Sequence, residues 1–165
     1  MKSDFEILRA IPEDITIIIR FIRELAEYEN AIDLVHATED DLSKALFGAA
    51  PRVWADICRR DGEAIGFVLY FFNFSTWTGR HGLFLEDLYV SPQHRGCGAG
   101  KALLSHLAQV ALEHYCARFE WNVLDWNKPA LAFYESLGAE PQPEWVGYRL
   151  SGPPLTPPLH PPGFS

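Results

Sequence analysis

Cysteine and methionine are scarce in this chain of 165 residues, which has three of the first and one of the second. Cys58, Cys97 and Cys116 form no CxxC pair, and an odd count fits neither a disulfide framework nor a zinc site. The six histidines, His36, His81, His94, His106, His114 and His160, show no ligand spacing, so no metal is expected. No apolar run approaches the ~20 residues of a membrane helix. The opening MKSDFEILRA lacks the basic-then-apolar order of a signal peptide. These absences together imply a cytoplasmic location. Basic residues are also few, 14 Lys and Arg against 22 Asp and Glu, for a net charge of −8. Phosphate neutralisation needs a basic surface, so nucleic acid is not an expected partner, and neither is an anionic membrane.

The length suffices for a full core without cross-links. The acidity is concentrated at one end. Residues 1–41 hold eleven acids and four bases, and residues 42–165 hold eleven and ten. An acidic segment on a near-neutral body can steer a cation, although a solvated helix face produces the same imbalance.

Residues 5–10 read as a short strand, and Pro12 then opens a helix. Along it Ile15, Ile18, Ile19, Ile22, Leu25 and Ala26 recur at helical spacing. Thr38-Glu-Asp-Asp41 has the form of a capping box and starts a second helix ending near Gly48. Val53–Cys58 and Ile65–Phe72 read as strands joined by the Asp61-Gly62 turn. The second is apolar enough to be buried on both faces. Residues 73–82 read as a polar loop carrying Trp77, and Leu83–Val90 as the next strand. After the glycine loop comes a helix with the stripe Leu103, Leu104, Leu107, Val110 and Ala111. A strand over 119–124, a helix from Asn127 and Pro129 to Gly138, and a strand over 144–150 follow. The order β-α-α-β-β-β-α-β-α-β is α/β, with a mixed central sheet flanked by helices. The domain spans 1–150. Residues 151–165 form a proline-rich tail whose Pro-Pro pairs recur every four residues and favour polyproline II.

The glycine loop, Gln93-His-Arg-Gly-Cys-Gly-Ala-Gly-Lys101, follows a strand and opens a helix. Glycines let the backbone turn tightly and approach a ligand closely, and N–H groups at a helix start attract anions. Arg95 and Lys101 add positive charge. The spacing fits neither a Walker loop nor a dinucleotide fingerprint. A plain strand-to-helix turn needs one such glycine, so Gly96, Gly98 and Gly100 together favour a phosphate or pyrophosphate site.

Gln93-x-x-Gly96-x-Gly98 resembles the Q/R-x-x-G-x-G/A signature of the GNAT N-acetyltransferases, and the resemblance spans about residues 5–150. Four blocks are similar to the spermidine/spermine (diamine) and thialysine N-acetyltransferase branch: residues 23–29 (RELAEYE), Leu85-Glu86-Asp87-Leu88-Tyr89-Val90, Trp126-Asn127-x-Pro129, and Phe133-Tyr134 with Gly138-Ala139. The resemblance implies the GNAT acyltransferase fold, acetyl-CoA as co-substrate, and direct transfer to a primary amine of a small molecule, by a homodimer. It places the pyrophosphate on the N–H groups of Arg95, Gly96, Cys97, Gly98, Ala99, Gly100 and Lys101. The pantetheine lies on the backbone of Leu88, Tyr89 and Val90, in a gap between that strand and the 119–124 strand. Asn127 and Pro129 serve the cofactor from the start of the last helix. Tyr134 is implied as general acid to the leaving thiolate and as a cofactor contact, and Glu86 as base acting through water.

Adjacent Asp87 points to the opposite strand face by simple alternation. Tyr28, Glu29, Asp87, Trp121, Asn122 and Glu144 are the candidates for amine binding, since aromatic faces and carboxylates suit a long cationic amine. Trp77 is a weaker one. The short hairpin at 58–62, the region 140–146 and the proline tail depart from the branch. The substrate therefore stays open between a polyamine, diamine or thialysine-like amine and another small amine, an amino acid or an aminoglycoside. A non-catalytic acyl-CoA-binding module is the remaining alternative.

Overall fold

A computed structural model describes residues 4–159. The chain divides into two compact units, Met1–Asn122 and Val123–Ser165.

The first unit is built on a five-stranded sheet in sequence order: β1 (Glu6–Arg9), β2 (Trp54–Arg60), β3 (Glu63–Ser75), β4 (Arg80–Val90) and β5 (Arg118–Trp121). The first three pairings are antiparallel and β4–β5 is parallel, so the sheet is mixed as expected. Helix α1 (Ile15–Tyr28) and helix α2 (Glu39–Phe47) cover one face. Ile15, Ile18 and Phe21 of α1 and Leu46 of α2 pack there on Ala55, Ile57, Phe67, Leu69 and Tyr89. Phe21 lies outside the stripe read from the sequence, yet it is fully buried, its ring 5.8 Å from Phe67 and 5.4 Å from Tyr89. Helix α3 (Ala99–Glu113) packs against β3, β4 and β5, burying Leu103, Leu104, Leu107 and Ala111.

Local signals act as the sequence dictates. Thr38 and Asp41 close a reciprocal capping box at the start of α2, with bonds of 2.9 and 3.2 Å. Asp61 and Gly62 both have positive φ, which the tight turn between β2 and β3 requires. Residues 65–70 of β3 are all buried. The span 73–82 is less of a loop than its polarity implies. Asn73, Phe74 and Ser75 pair with Gly82, His81 and Arg80, leaving only residues 76–79 for the turn. The pairing is supported by a cross-strand ring contact, Phe74 on His81 at 5.2 Å.

A buried charge network crosses the sheet. The Asp56 carboxylate accepts from Arg9 at 2.8 Å and from the Tyr70 hydroxyl at 3.3 Å, and lies 2.7 Å from His106 of α3. Burial opposes its ionisation, but hydrogen bonds from His106 and Arg9 outweigh burial and hold Asp56 below the usual carboxylate range. Its contribution is therefore present above the ordinary carboxylate range and is lost as pH falls through it. Asp56→Ala should destabilise the fold by about 1–3 kcal/mol. The deficit, read from urea midpoints, should narrow in acid.

In the second unit, helix α4 (Lys128–Ser136) is capped by Asn127, whose side-chain oxygen accepts from the Ala130 N–H at 3.4 Å. Gly138, at φ +86°, closes it. The expected strand over 144–150 does not form among the described residues. Every residue of the segment is exposed, and Gly147 interrupts it. An extended segment without a ladder partner is not stable alone. The tail also differs from its polyproline reading at Pro153–Leu155, which form a 3₁₀ turn. Proline fixes φ but leaves ψ to choose between the two conformations. Residues 160–165 of that tail lie outside the described residues.

Candidate active site

The end of β4 departs from ideal strand geometry in two ways. First, it outruns its neighbour. Pairing with β5 stops at Leu85↔Trp121, while pairing with β3 continues to Gly66↔Val90. Residues 86–90 thus carry backbone N–H and C=O groups on the side that β5 has left, the Val90 carbonyl being held by Arg95. Amide-bearing chains bind such an edge as an added strand, and Leu88, Tyr89 and Val90 lie on it.

Second, β4 carries a bulge. Leu69 pairs with Asp87 and Tyr70 with Leu85, so Glu86 is the extra residue. A bulge shifts the alternation of faces. Asp87, opposite Leu69, shares with Tyr89 the face covered by α1. An unbroken strand would put Asp87 on the same face as Leu85. Simple alternation misses this, because one unpaired residue has no composition signal.

The bulge gathers carboxyls. Glu86 is exposed and Asp87 half-buried. Burial first, then the charges of Glu86 and Glu29, push the Asp87 carboxyl up to about 6. Burial also raises Glu29, which caps the C-terminus of α1. A carboxyl raised by two neighbouring carboxylates favours a cation beside it. Trp121 pairs with Leu85 beside the bulge, its ring 5.0 Å from Phe119, and Asn122 follows it, exposed. Trp77 sits at the far end of β4, in the hairpin turn, and is not brought to this site.

Beyond Val90 the chain enters the glycine loop. Gly96 and Gly98 have φ of +78° and +92°, and nothing lies within 4 Å of where a Cβ would stand on either. Gly98 caps α3 without a side-chain bond, so the first-turn N–H groups face an open, exposed cradle. Positive-φ glycines at a helix start form an anion-binding nest. Lys101 is exposed in the first turn, and Ala99 is buried under it. Cys97 is exposed, and its thiol donates to the His94 carbonyl at 2.7 Å.

Arg95 does not reach outward into that cradle. Its Nε donates to the Val90 carbonyl at 2.9 Å, and its guanidinium lies over the rings of Tyr28 (5.1 Å) and Tyr89 (5.7 Å). The Tyr89 hydroxyl donates to Glu24 at 2.6 Å. Burial, then the bond to Glu24, pushes that phenol up to about 12, so it stays a donor. Glu24 was not singled out from the sequence, where it reads as an outward-facing helix residue. Tyr28 is thus tied to the glycine loop as well as to the neighbourhood of Glu29.

In the second unit Tyr134 is half-buried on α4, its ring 5.5 Å from Phe133. Pro129 stands at the start of the same helix, and Glu144 is exposed in the segment after it.

The chain as a whole has counterparts among known proteins. Residues 18–139 match the acetyltransferase (GNAT) family. The chain belongs to that family. It is 42% identical over 146 residues to the thialysine N-epsilon-acetyltransferase of Sus scrofa, covering 82% of this chain and 85% of the relative. It is 34% identical to spermidine/spermine N(1)-acetyltransferase-like protein 1 of Homo sapiens, covering 88% of this chain and 22% of that one. Among solved structures, an integron cassette protein from the mobile metagenome of V. cholerae superposes with a TM-score of 0.77 at 31% identity, covering 93% of this chain and 96% of that one.

GNAT acetyltransferases use acetyl-CoA as co-substrate, and the residues present here fit it. The nest at Gly96–Gly98 has room for a phosphate where a Cβ would intrude, and the β4 edge supplies amide partners. Among the described residues no helix is long and apolar enough to cross a membrane.

Proposed function

We propose that this GNAT enzyme moves an acetyl group from acetyl-CoA directly onto a primary amine of a small cationic substrate: a polyamine, a diamine or a thialysine-like amino acid. The observation that carries the amine reading is the carboxyl group at the bulge, with Asp87 pushed up to about 6 beside Glu86 and Glu29. Such a cluster is relieved by an ammonium ion. The names of the relatives support the same substrate class.

Each residue then has a defined task. N–H groups from Arg95 to Lys101 hold the pyrophosphate, and the backbone of Leu88–Val90 orients the pantetheine. Asn127 and Pro129 serve the cofactor from the start of α4. Glu29 and Asp87 draw the ammonium in, with Tyr28, Trp121, Asn122 and Glu144 as further contacts. Amines titrate near ~10, so most substrate arrives protonated at neutral pH. Glu86, exposed at the bulge, accepts that proton through water. The freed nitrogen bonds to the acetyl carbon, the carbon–sulfur bond breaks, and Tyr134 protonates the departing thiolate. The enzyme works as a homodimer, and the acidic segment 1–41 steers the cationic substrate in.

Thiol release from acetyl-CoA in the presence of an amine reports this chemistry. In Glu86→Gln the rate loss should shrink as pH rises toward the amine pKa, because free amine then needs no base. A loss that is constant with pH assigns Glu86 to positioning instead.

A further inference from the structure

The side chain of Arg95 faces the amine-side helix, away from the loop's phosphate cradle. Arg20, Glu24 and Tyr28 of α1, Tyr89 of β4 and Ser91 and Arg95 of the loop are among the residues lining a cleft of about 440 Å³. Helix and loop do not pack closely along that gap, and Arg95 bridges it. At one end its Nε bonds the last carbonyl of β4. At the other its guanidinium lies over Tyr28, one residue before Glu29. Tyr89 forms the floor, held to Glu24 by its hydroxyl. Glu29 in turn is close enough to Asp87 to raise its proton affinity. Arg95 therefore links the glycine loop to Tyr28, the residue before Glu29.

We propose that Arg95 is a positioning residue that couples the two substrates: its clasp by Tyr28 and Tyr89 makes the cofactor loop and the amine-binding end of α1 adopt their working positions together. The inference rests on the acetyl-CoA reading given above. Order in the loop then supports order at Glu29, and occupancy of one side tightens the other, as linkage requires. The clasp is an exposed cation–π contact, so each ring contributes about two- to fivefold in affinity.

The test is a double-mutant cycle on CoA binding, measured by calorimetry with no amine present. Tyr28→Ala, a change on the amine side, should weaken CoA binding by about two- to fivefold. Tyr28→Phe keeps the ring and should restore it, which separates the clasp from general damage to α1. Arg95→Ala should weaken CoA binding more, because it also removes the contact with Tyr89 and the bond to the Val90 carbonyl. In the Arg95→Ala background, Tyr28→Ala should cause no further loss. Reciprocally, Arg95→Ala should raise KM for the amine even at saturating acetyl-CoA, with a smaller change in kcat. CoA binding that is indifferent to Tyr28→Ala, or single effects that multiply fully in the double variant, overturns the coupling and leaves the acetyltransferase reading in place. A wild-type chain that binds no CoA overturns both.

Discussion

Tyr134→Phe is expected to lower kcat by about 10²- to 10⁴-fold while leaving affinity for acetyl-CoA nearly unchanged. The reason is the leaving group. As the carbon–sulfur bond breaks, negative charge gathers on sulfur, and a thiolate released without a proton is readily recaptured. A phenol, with an ordinary pKa near ~10, holds its proton at neutral pH and yields it only as that charge develops. Phenylalanine keeps the ring that lies against Phe133 and removes the hydroxyl that carries the transferable proton. On the proposed reading cofactor affinity comes mainly from the loop and the β4 edge, so it should survive. Single-turnover acetyl transfer at saturating acetyl-CoA, paired with CoA calorimetry, separates the two quantities. Wild-type turnover in this variant would remove Tyr134 from the chemistry.

Asp87→Asn should move activity and stability in opposite directions. The folded-state carboxyl titrates near 6, above the ~3.9 of an unfolded chain. Folding therefore favours its protonated form. Asp87 supports stability fully below the unfolded pKa, and that support is lost as pH rises through the folded pKa. At neutral pH the ionised group works against the fold, in part through Glu86 and Glu29. An uncharged isostere relieves this, and the variant should be more stable by about 1–3 kcal/mol at pH 7–8, with the gain vanishing below pH ~4. Activity should change the other way, since the group that attracts the ammonium is gone. In the wild type, kcat/KM for a diamine should rise with pH through about 6 as Asp87 ionises, and the variant should lack that limb. Unfolding midpoints and kcat/KM measured across the same pH range test both halves. A stability difference that does not vary with pH would contradict the assignment.

Most of the framework was legible because local patterns caused it. The capping box at Thr38, the Asp61-Gly62 turn and the α3 stripe each specify a conformation within a few residues. The glycine loop was legible for the same reason, since positive φ at Gly96 and Gly98 is a backbone requirement with a residue signature. What escaped depended on pairing across the chain. The bulge at Glu86 is visible only against the register of β3, so simple alternation could not place Asp87 on the face covered by α1. The strand expected at 144–150 had the right residues but no strand to pair with among the described residues. Arg95 illustrates a third case. Its place in an anion loop suggested a charge for the cradle, but two tyrosines from distant parts of the chain hold it over their rings. Asp87 could be named from its neighbours in sequence. The extent of its titration shift could not, because burial and Glu29 both come from the folded chain.

The most direct measurement is amine-dependent thiol release from acetyl-CoA across putrescine, spermidine, spermine, lysine and thialysine, with the acetylated product identified by mass. The account predicts that release requires an amine, that at least one of these cations is acetylated on a primary nitrogen, and that kcat/KM falls as salt screens the carboxyl cluster. A chain that binds CoA yet acetylates none of these amines would contradict it.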